Sequence, residues 1–378
     1  MIYLDYNATT PCDQRVVAAM LPFFTEKFGN ASTKIHRYGW IADQAVEQAR
    51  KEVADLIHAD PSEIIFTSGA TESCNLAIKG VFEKYKTKGN HIITCQTEHY
   101  AVLDTCRNLE NKGAVVTYLS VDENGLIDLK ELENAIQEST ILIAVMYGNN
   151  ETGVIQPIAG IAEIAKARKV LFFTDATQAV GKTEVDVIKG GIDLMALSAH
   201  KIYGPKGVGA LYVRRKNPRV PLTEQMNGGG QERGMRSGTL NVPGIVGLGK
   251  ACSILQESGK EEQERLKDFQ TEIEQFFIAE NNALINGGKA NRLPNVSNIS
   301  FEEVASQRLI AALNHEFAFS LGSACTSAAQ GPSHVLTAMG LMPKIIQGSL
   351  RISMGRFTTE KEIQEVKRKF SKAVRELK

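Results

Sequence analysis

Short apolar segments that do not alternate with polar residues recur along the first 213 residues, and amphipathic segments separate them. Strands of this kind are buried on both faces, which is typical of a mostly parallel sheet with helices on either side. The predicted strands are residues 63–67, 91–95, 115–119, 141–146, 170–174, 193–198 and 209–213. The predicted helices between them are residues 37–57, 71–85, 101–111, 129–137 and 158–168. The fold class is therefore α/β, built on a mostly parallel seven-stranded sheet.

The first of these helices illustrates the helical pattern. Trp40, Ile41, Val46, Ala49, Val53 and Ile57 recur at helical spacing. We expect all of them, Trp40 included, on the buried side of the helix.

The pattern changes after residue 260, where a polar helix is predicted over residues 261–280 and shorter strands and helices follow. This change predicts a domain boundary near residues 255–262. The predicted units are a large domain, residues 12–258, and a smaller α+β domain, residues 1–11 and 259–378.

Composition and charge exclude several classes of protein. Lys and Arg number 43 and Asp and Glu also number 43, without a basic stripe, so nucleic acid is not expected as a direct partner. Apolar runs such as Ile141–Met146 have strand length, far below the roughly 18 residues of a membrane span. The first ten residues lack the charged and apolar regions of a signal peptide, and none of the six cysteines forms a C-x-x-C pair. We expect a cytoplasmic protein with free thiols and no membrane partner.

Polar side chains follow five of the predicted strands. Ligands of an open α/β sheet bind beyond the carboxyl ends of its strands, so these groups are expected to meet in one crevice. They are Ser68–Glu72, Thr97–His99, Asn149–Glu151, Asp175–Gln178 and Ala199–Lys201.

Several of these groups fit a phosphorylated cofactor. Residues 68–71 predict an anion cradle at a helix N-terminus, or an ordinary helix cap. Asp175 suits a protonated ring nitrogen, although it could also cap a loop. Lys201 suits a Schiff base if burial lowers its pKa, and His99 suits a ring that stacks on the cofactor; each could instead be solvated. Together these parts are what pyridoxal phosphate requires.

A nucleotide site is the competing interpretation of one segment. Residues 176–183 nearly match the P-loop pattern G-x-x-x-x-G-K-[ST], with Ala176 in place of the first glycine. The following residues 184–187 are a poor helix start, and Asp175 would repel a triphosphate. The pattern therefore favours the pyridoxal-phosphate site.

Two further residues are candidates for chemistry. Cys325 lies among small polar residues, which is typical of an available nucleophilic thiol; we expect the other five cysteines to be structural. Arg351 lies in an apolar strand and needs an anionic partner, either a substrate carboxylate or a structural Asp or Glu. The sequence has no cluster of His and Cys residues at metal-ligand spacing, so a stable mononuclear metal site is not expected.

The motifs together resemble the cysteine desulfurases of the NifS/IscS type. These are fold-type I pyridoxal-phosphate enzymes of the class V aminotransferase group, and the resemblance covers nearly the whole chain. The motifs that carry it are LDYNATTP at 4–11, FTSGATES at 66–73, TEH at 97–99, NNETG at 149–153, DATQAVGK at 175–182, HKIYGPKGVGALY at 200–212, GGGQERGMRSGT at 228–239, GSACTS at 322–327 and LRISMGRFTTEKEI at 350–363.

The resemblance implies a role for each matching residue. Lys201 would bind pyridoxal phosphate covalently, Asp175 its pyridinium nitrogen and Gln178 its ring hydroxyl. His99 would stack on the ring and assist proton transfer. The residues implied for the phosphate are Ala70, Thr71, Ser198, His200 and, from the neighbouring subunit of an obligate homodimer, Thr239. The residues implied for the substrate are Asn7, Asn150 and Arg351, with Asn150 also near the cofactor.

The implied reaction removes sulfur from L-cysteine. Cys325 would take the sulfur as a persulfide, release alanine, and pass the sulfur to an iron–sulfur scaffold or another acceptor protein. Cys325 could also transiently ligate a cluster shared with a scaffold. The alternatives are a selenocysteine lyase, an aminotransferase, or a carrier with a vestigial cofactor.

Three departures from the family pattern stand out. Ala199 replaces the Gly or Ser of many relatives, and Tyr100 replaces the Lys of some. The chain also ends at Lys378 without the longer tail that some members use to dock a scaffold, which leaves the scaffold interface open but not the chemistry.

Overall fold

A computed structural model describes residues 1–321 and 331–378. The strands are β1 (Ile2–Tyr3), β2 (Ile64–Thr67), β3 (His91–Cys95), β4 (Val115–Leu119), β5 (Thr140–Ala144), β6 (Leu171–Asp175), β7 (Leu194–Ser198), β8 (Gly209–Val213), β9 (Leu284–Ile285), β10 (Val296–Ser300), β11 (Phe317–Ala318), β12 (Ser320–Leu321) and β13 (Ser349–Ser353). The helices are α1 (Gln14–Met20), α2 (Pro22–Thr25), α3 (Arg37–Leu56), α4 (Ala70–Tyr85), α5 (Tyr100–Glu110), α6 (Leu129–Ala135), α7 (Ile158–Arg168), α8 (Val242–Asn281), α9 (Ser306–Leu313), α10 (His334–Ala338), α11 (Pro343–Gln347) and α12 (Glu360–Leu377).

The larger sheet has seven strands in the order β2-β8-β7-β6-β5-β3-β4. Only β8 runs against its neighbours, pairing antiparallel with β2 and β7, while the other pairs are parallel. Every residue of β3, β5 and β7 is buried, because helices cover both faces. The predicted seven-stranded, mostly parallel sheet is confirmed.

The helices form a separate apolar core on each face of this sheet. Val46 of α3 and Leu248 of α8 pack on one face with Met195 of the sheet. Ile78 of α4 packs on the other face with Ile92. Within the described part of the chain, no helix is both long and apolar enough to cross a membrane.

The C-terminal region builds a smaller antiparallel sheet in the order β12-β13-β10-β9. Phe277 from the end of α8 and Phe370 from α12 pack on it together with Phe301. The N-terminus joins this unit, because β1 pairs with β11 and Leu4 lies in the same core.

Helix α8 is longer than the sequence predicts. It begins at Val242 rather than at residue 261 and continues without a break for 40 residues, through the positions where the boundary was expected. The Asn241 side chain caps its start by accepting from the Gly244 amide. Glycines at 244, 247, 249 and 259 hid the first half, because glycine is a poor helix former; close packing explains Gly247 and Gly249 but not Gly259.

The expected burial of Trp40 is wrong. Its side chain is 55% exposed, and its indole nitrogen donates to the Lys34 carbonyl at 2.7 Å. Trp40 lies in the first turn of α3, where the helix extends beyond the core that Val46 and Val53 enter.

Candidate active site

A cavity of about 610 Å³ opens at the carboxyl edge of the larger sheet. Each of the five predicted strand ends supplies part of its wall, so their expected convergence is confirmed. The sheet residues that line it include Ser68, Gly69, Ala70, Thr71, His99, Asn150, Asp175, Gln178, Ser198, His200 and Lys201. The smaller sheet adds Ser320 and Arg351, and the N-terminal segment adds Asp5 and Asn7.

Lys201 lies in a tight turn directly after β7. Its Nζ donates to the carbonyl oxygens of Asn7 at 2.6 Å and Ala8 at 2.7 Å. Burial, with a further contribution from the Arg351 guanidinium, lowers the pKa of Lys201 to about 8. The amine is therefore easily deprotonated near neutral pH, as a nucleophilic lysine must be.

Asp175 ends β6 and is only 7% exposed. One carboxylate oxygen accepts from the Thr177 amide at 3.0 Å, and the other accepts from the Cys74 thiol at 3.8 Å. Burial and the Asp175 charge raise the pKa of Cys74 well above its usual value, so this cysteine stays a thiol. A buried carboxylate at the cavity wall suits a cationic ring nitrogen.

The start of α4 has the geometry that the predicted anion cradle requires. No side chain caps this helix, and the amides of its first turn have no partners within the helix. Gly69 precedes it with φ of 151°, a conformation that only glycine adopts readily. The Glu72 carboxylate accepts from the Ser68 amide at 2.7 Å, so it holds the turn rather than covering the helix end.

Burial keeps both histidines of the cavity neutral. The Nδ1 atom of His99 accepts from the Ala101 amide at 3.1 Å, which leaves the ring proton on Nε2, and burial lowers the pKa of this ring. Burial and nearby Lys201 lower the pKa of His200 to about 4, and its Nδ1 lies 3.1 Å from the Thr9 hydroxyl.

Asn7 forms hydrogen bonds with several residues of the site. Its carbonyl oxygen accepts from Lys201 and, at 3.0 Å, from the amide of Gln178. Its side chain donates to the Asn150 carbonyl at 3.1 Å and accepts from Asn295 at 2.9 Å. A direct contact between the Asn7 side chain and a substrate stays a prediction.

Arg351 has a structural carboxylate partner, which is one of the two possibilities that the sequence allowed. Its Nη2 donates to Asp5 at 2.8 Å and to the Ser320 hydroxyl at 3.2 Å. Its Nη1 donates to the Asn150 carbonyl at 3.0 Å, and its buried Nε has no partner among the described residues. The guanidinium is thus fixed in the cavity wall, where a substrate carboxylate would meet a cation already held in place.

Two predicted residues are absent from the described lining of this cavity. Cys325 lies outside the described residues. Thr239 is exposed at the end of the loop over residues 214–238 and does not line the cavity of its own chain. This loop is nevertheless tied to the cradle, because Arg236 donates to Glu72 at 2.8 Å.

Sequence reasoning missed three residues of the site. Asp5, Cys74 and Ser320 contact Arg351 or Asp175 only through the tertiary fold. The signal for Asp5 was its place in the LDYNATTP segment; Cys74 and Ser320 carried none.

Comparison with known proteins identifies the family. The model of the family "Aminotransferase class-V" matches residues 2–366. A cysteine desulfurase IscS of Neisseria meningitidis is 54% identical over 363 residues, which cover 96% of this chain and 89% of the relative. A solved "NifS-like protein" superposes with a TM-score of 0.92 at 37% identity, with all of both chains covered. The solved structure "SspA in complex with cysteine" gives a TM-score of 0.84 at 40% identity, covering 95% of this chain and 100% of that one.

The chain belongs to the class-V aminotransferase family of fold-type I pyridoxal-phosphate enzymes. Within that family it is a cysteine desulfurase of the NifS/IscS type. The resemblance seen in the motifs is confirmed.

The cavity fits pyridoxal phosphate on its own chemistry. It combines an uncapped helix N-terminus for the phosphate, a buried carboxylate at Asp175 for the ring nitrogen, and an amine of lowered pKa at Lys201 for the aldehyde. A volume of about 610 Å³ leaves room for a small amino acid beside the cofactor.

Proposed function

We propose that the protein converts L-cysteine and its own Cys325 thiol into L-alanine and a persulfide on Cys325. In the net reaction, the carbon–sulfur bond of the substrate breaks and a sulfur–sulfur bond forms on the enzyme. The observation that carries this proposal is a partly buried lysine of pKa about 8 in the same cavity as the buried Asp175 carboxylate. The cysteine-bound relative supports the substrate.

Pyridoxal phosphate, when bound, supplies the electron sink for breaking bonds at the amino acid. Lys201 holds its aldehyde, Asp175 keeps its ring nitrogen protonated, and Gln178 binds its ring hydroxyl. The phosphate is held by Ala70, Thr71, Ser198 and His200.

His99 and Arg351 act on the substrate side of the cavity. The Nδ1 atom of His99 is occupied by the Ala101 amide, so Nε2 is the atom that exchanges a proton. Arg351 attracts the substrate carboxylate by its positive charge, with Asn150 beside it, whereas two parallel hydrogen bonds would require its Nη2 to give up Asp5 or Ser320. Asn7 positions Lys201 and Asn150 through the hydrogen bonds of its carbonyl and its amide.

Chain connectivity supports Cys325 as the sulfur acceptor. It follows Ser320, which lines the cavity, by five residues. On the other side of the segment, the Ser333 hydroxyl donates to Glu151, beside Asn150 of the site. The persulfide then passes to an acceptor protein, such as an iron–sulfur scaffold.

The proposal is tested by Cys325→Ala in the holoenzyme. We expect at least a hundredfold loss of alanine and sulfide formation in the presence of a thiol reductant, with the visible band of the cofactor retained. Cys12→Ala is the matched control, since Cys12 is partly exposed and lies outside the cavity. Desulfuration that survives in Cys325→Ala would contradict the proposal and favour a lyase or aminotransferase that does not use the thiol.

Borohydride reduction tests the assignment of Lys201. Reduced holoenzyme should carry the cofactor on the peptide that contains residue 201, as read by mass spectrometry. Label on another lysine would overturn the site.

We propose that the protein is a homodimer in which Thr239 reaches the phosphate of the partner's cofactor. The loop that ends at Thr239 is exposed and tied to the cradle through Arg236. Large apolar side chains are also exposed over a short stretch, as expected for a surface that is covered in the assembly: Leu21, Phe24, Phe28, Ile35, Tyr38 and Trp40.

The location and the domain division are proposals as well. Buried free thiols at Cys74, Cys95, Cys106 and Cys252 support a reducing, cytoplasmic compartment. Residues 12–258 hold the larger sheet, and residues 1–11 with 259–378 hold the smaller one, which supports two domains joined by α8.

A further inference from the structure

Lys182 is a buried amine without a part in the chemistry above. It ends the DATQAVGK segment, and the nucleotide interpretation that would have used it does not apply. It lies behind the cavity wall, where its Nζ donates to Gln178 Oε1 at 2.7 Å and lies 3.5 Å from Asn7 Oδ1. Burying an amine costs free energy unless its hydrogens have acceptors, and these two contacts supply them. What remains to be explained is why an amine is placed there at all.

The contacts of Gln178 decide which end of its amide faces the cavity. The Asn7 carbonyl can only accept, so the Gln178 atom that lies 3.0 Å from it must be the nitrogen. Lys182 donates to the other end, which must therefore be the oxygen. Because the amide nitrogen carries a second hydrogen, Gln178 can offer a donor to a ligand in the cavity that it lines.

Lys182 meets the uncharged Gln178 amide as a hydrogen-bond donor rather than as a counter-ion. The pKa of Lys182 is lowered well below its usual value, by burial first and then by the charges of Lys201 and Arg351, while Glu262 opposes the shift. The amine can donate to the Gln178 oxygen in either protonation state, so the contact does not depend on its charge.

We propose that Lys182 is a positioning residue that locks the Gln178 amide with its nitrogen toward the ring oxygen of the cofactor. This inference rests on the proposed cofactor site. A donor at that place stabilises the deprotonated ring oxygen, so Lys182 sets the acid–base equilibrium of the bound cofactor from a position that never touches it.

The test compares Lys182→Met with Lys182→Gln. Methionine fills the space without a donor, whereas glutamine keeps an N–H for the Gln178 oxygen. We expect Lys182→Met to weaken pyridoxal-phosphate binding by about tenfold and to raise the pH midpoint of the cofactor's visible band by about 1. Lys182→Gln should stay within about threefold of the unmodified protein in affinity. The matched control is Lys189→Met, an exposed lysine away from the cavity.

The inference is overturned if Lys182→Met leaves both readouts unchanged, or if Lys182→Gln is impaired as strongly as Lys182→Met. If Lys182→Met fails to fold, Lys182→Leu decides, because leucine also offers no donor to the Gln178 oxygen. It must raise the midpoint of the band, and an unchanged midpoint would refute the inference. The cofactor affinity and the pH midpoint of the band depend only on cofactor binding, so both can be measured even if Cys325 is dispensable. A protein that binds no cofactor would instead refute the proposed function itself.

Discussion

At the scale of single residues, burial decides which groups of this site can react. Lys182 is a buried amine and Lys201 a partly buried one, and Lys201 lines the cavity while Lys182 lies behind it against Gln178. His99 and His200 are held neutral by burial, and Cys74 is held as a thiol against Asp175. The sequence identifies these residue types. Their protonation states depend on burial and on charged residues that other helices and strands place beside them.

The lowered pKa of Lys201 predicts how cofactor attachment depends on pH. The free amine is the nucleophile, so its fraction in the apoprotein rises about tenfold per pH unit until pH reaches the pKa of about 8. We therefore expect the initial rate of visible-band formation on mixing apoprotein with pyridoxal phosphate to increase from pH 6.5 and to level off above pH 8.

The control for this measurement is N-acetyl-lysine amide, whose rate with pyridoxal phosphate should keep rising toward the ordinary lysine pKa near 10.4. If the rate of band formation with the apoprotein rises with the same pH midpoint as the rate with N-acetyl-lysine amide, then burial and Arg351 do not lower the pKa of Lys201.

At the scale of elements, helix α8 joins the two sheets through close packing. Its first half crosses α3 where Gly249 leaves no room for a side chain, since a Cβ there would lie 2.6 Å from Ala49 Cα. Sequence periodicity located most helices and strands within a few residues, but it missed this half-helix. Its glycines predict a break, and only the close approach of α3 explains Gly249.

Two glycines of α8 should respond in opposite ways to alanine. Gly249→Ala must push α3 and α8 apart, so we expect the free energy of unfolding to fall by about 1–3 kcal/mol. Gly259→Ala meets its nearest atom, Leu255 Cδ2, only at 3.7 Å. It should raise the free energy of unfolding by about 0.5–1 kcal/mol, because alanine is the better helix former.

Urea unfolding of the holoenzyme and both variants measures these effects under one set of conditions. Equal effects of the two substitutions would contradict the close approach of α3 and α8 at Gly249.

At the scale of the whole molecule, three separate parts of the chain complete one cavity. The larger sheet supplies the groups for the cofactor, the smaller sheet supplies Arg351 and Ser320, and the N-terminal segment supplies Asp5 and Asn7. Asp5 and Asn7 are held against the smaller sheet by the salt bridge of Arg351 and by the Ser353 hydroxyl. Motion of one unit relative to the other would therefore change the substrate side of the site.

The proposed dimer predicts that Thr239 contributes to a site it does not line in its own chain. Sedimentation should give the mass of two chains. Thr239→Val should remain dimeric and bind pyridoxal phosphate about five- to tenfold more weakly, since one hydrogen bond to a charged group is lost.

Thr87→Val, at an exposed threonine away from the cavity, is the matched control. A monomer, or a dimer in which Thr239→Val binds the cofactor as tightly as the control, would contradict the shared site.

The sequence alone determined the class of fold, the strand ends that form the crevice and the cofactor that suits them. These depend on local periodicity and on residue chemistry, which a linear chain displays. Only the tertiary structure decided that Arg351 pairs with Asp5, that Cys74 donates to Asp175, and that Lys182 lies behind Gln178. Such pairings join residues from different elements, up to 346 positions apart, and their energies depend on distance and burial that no local pattern contains.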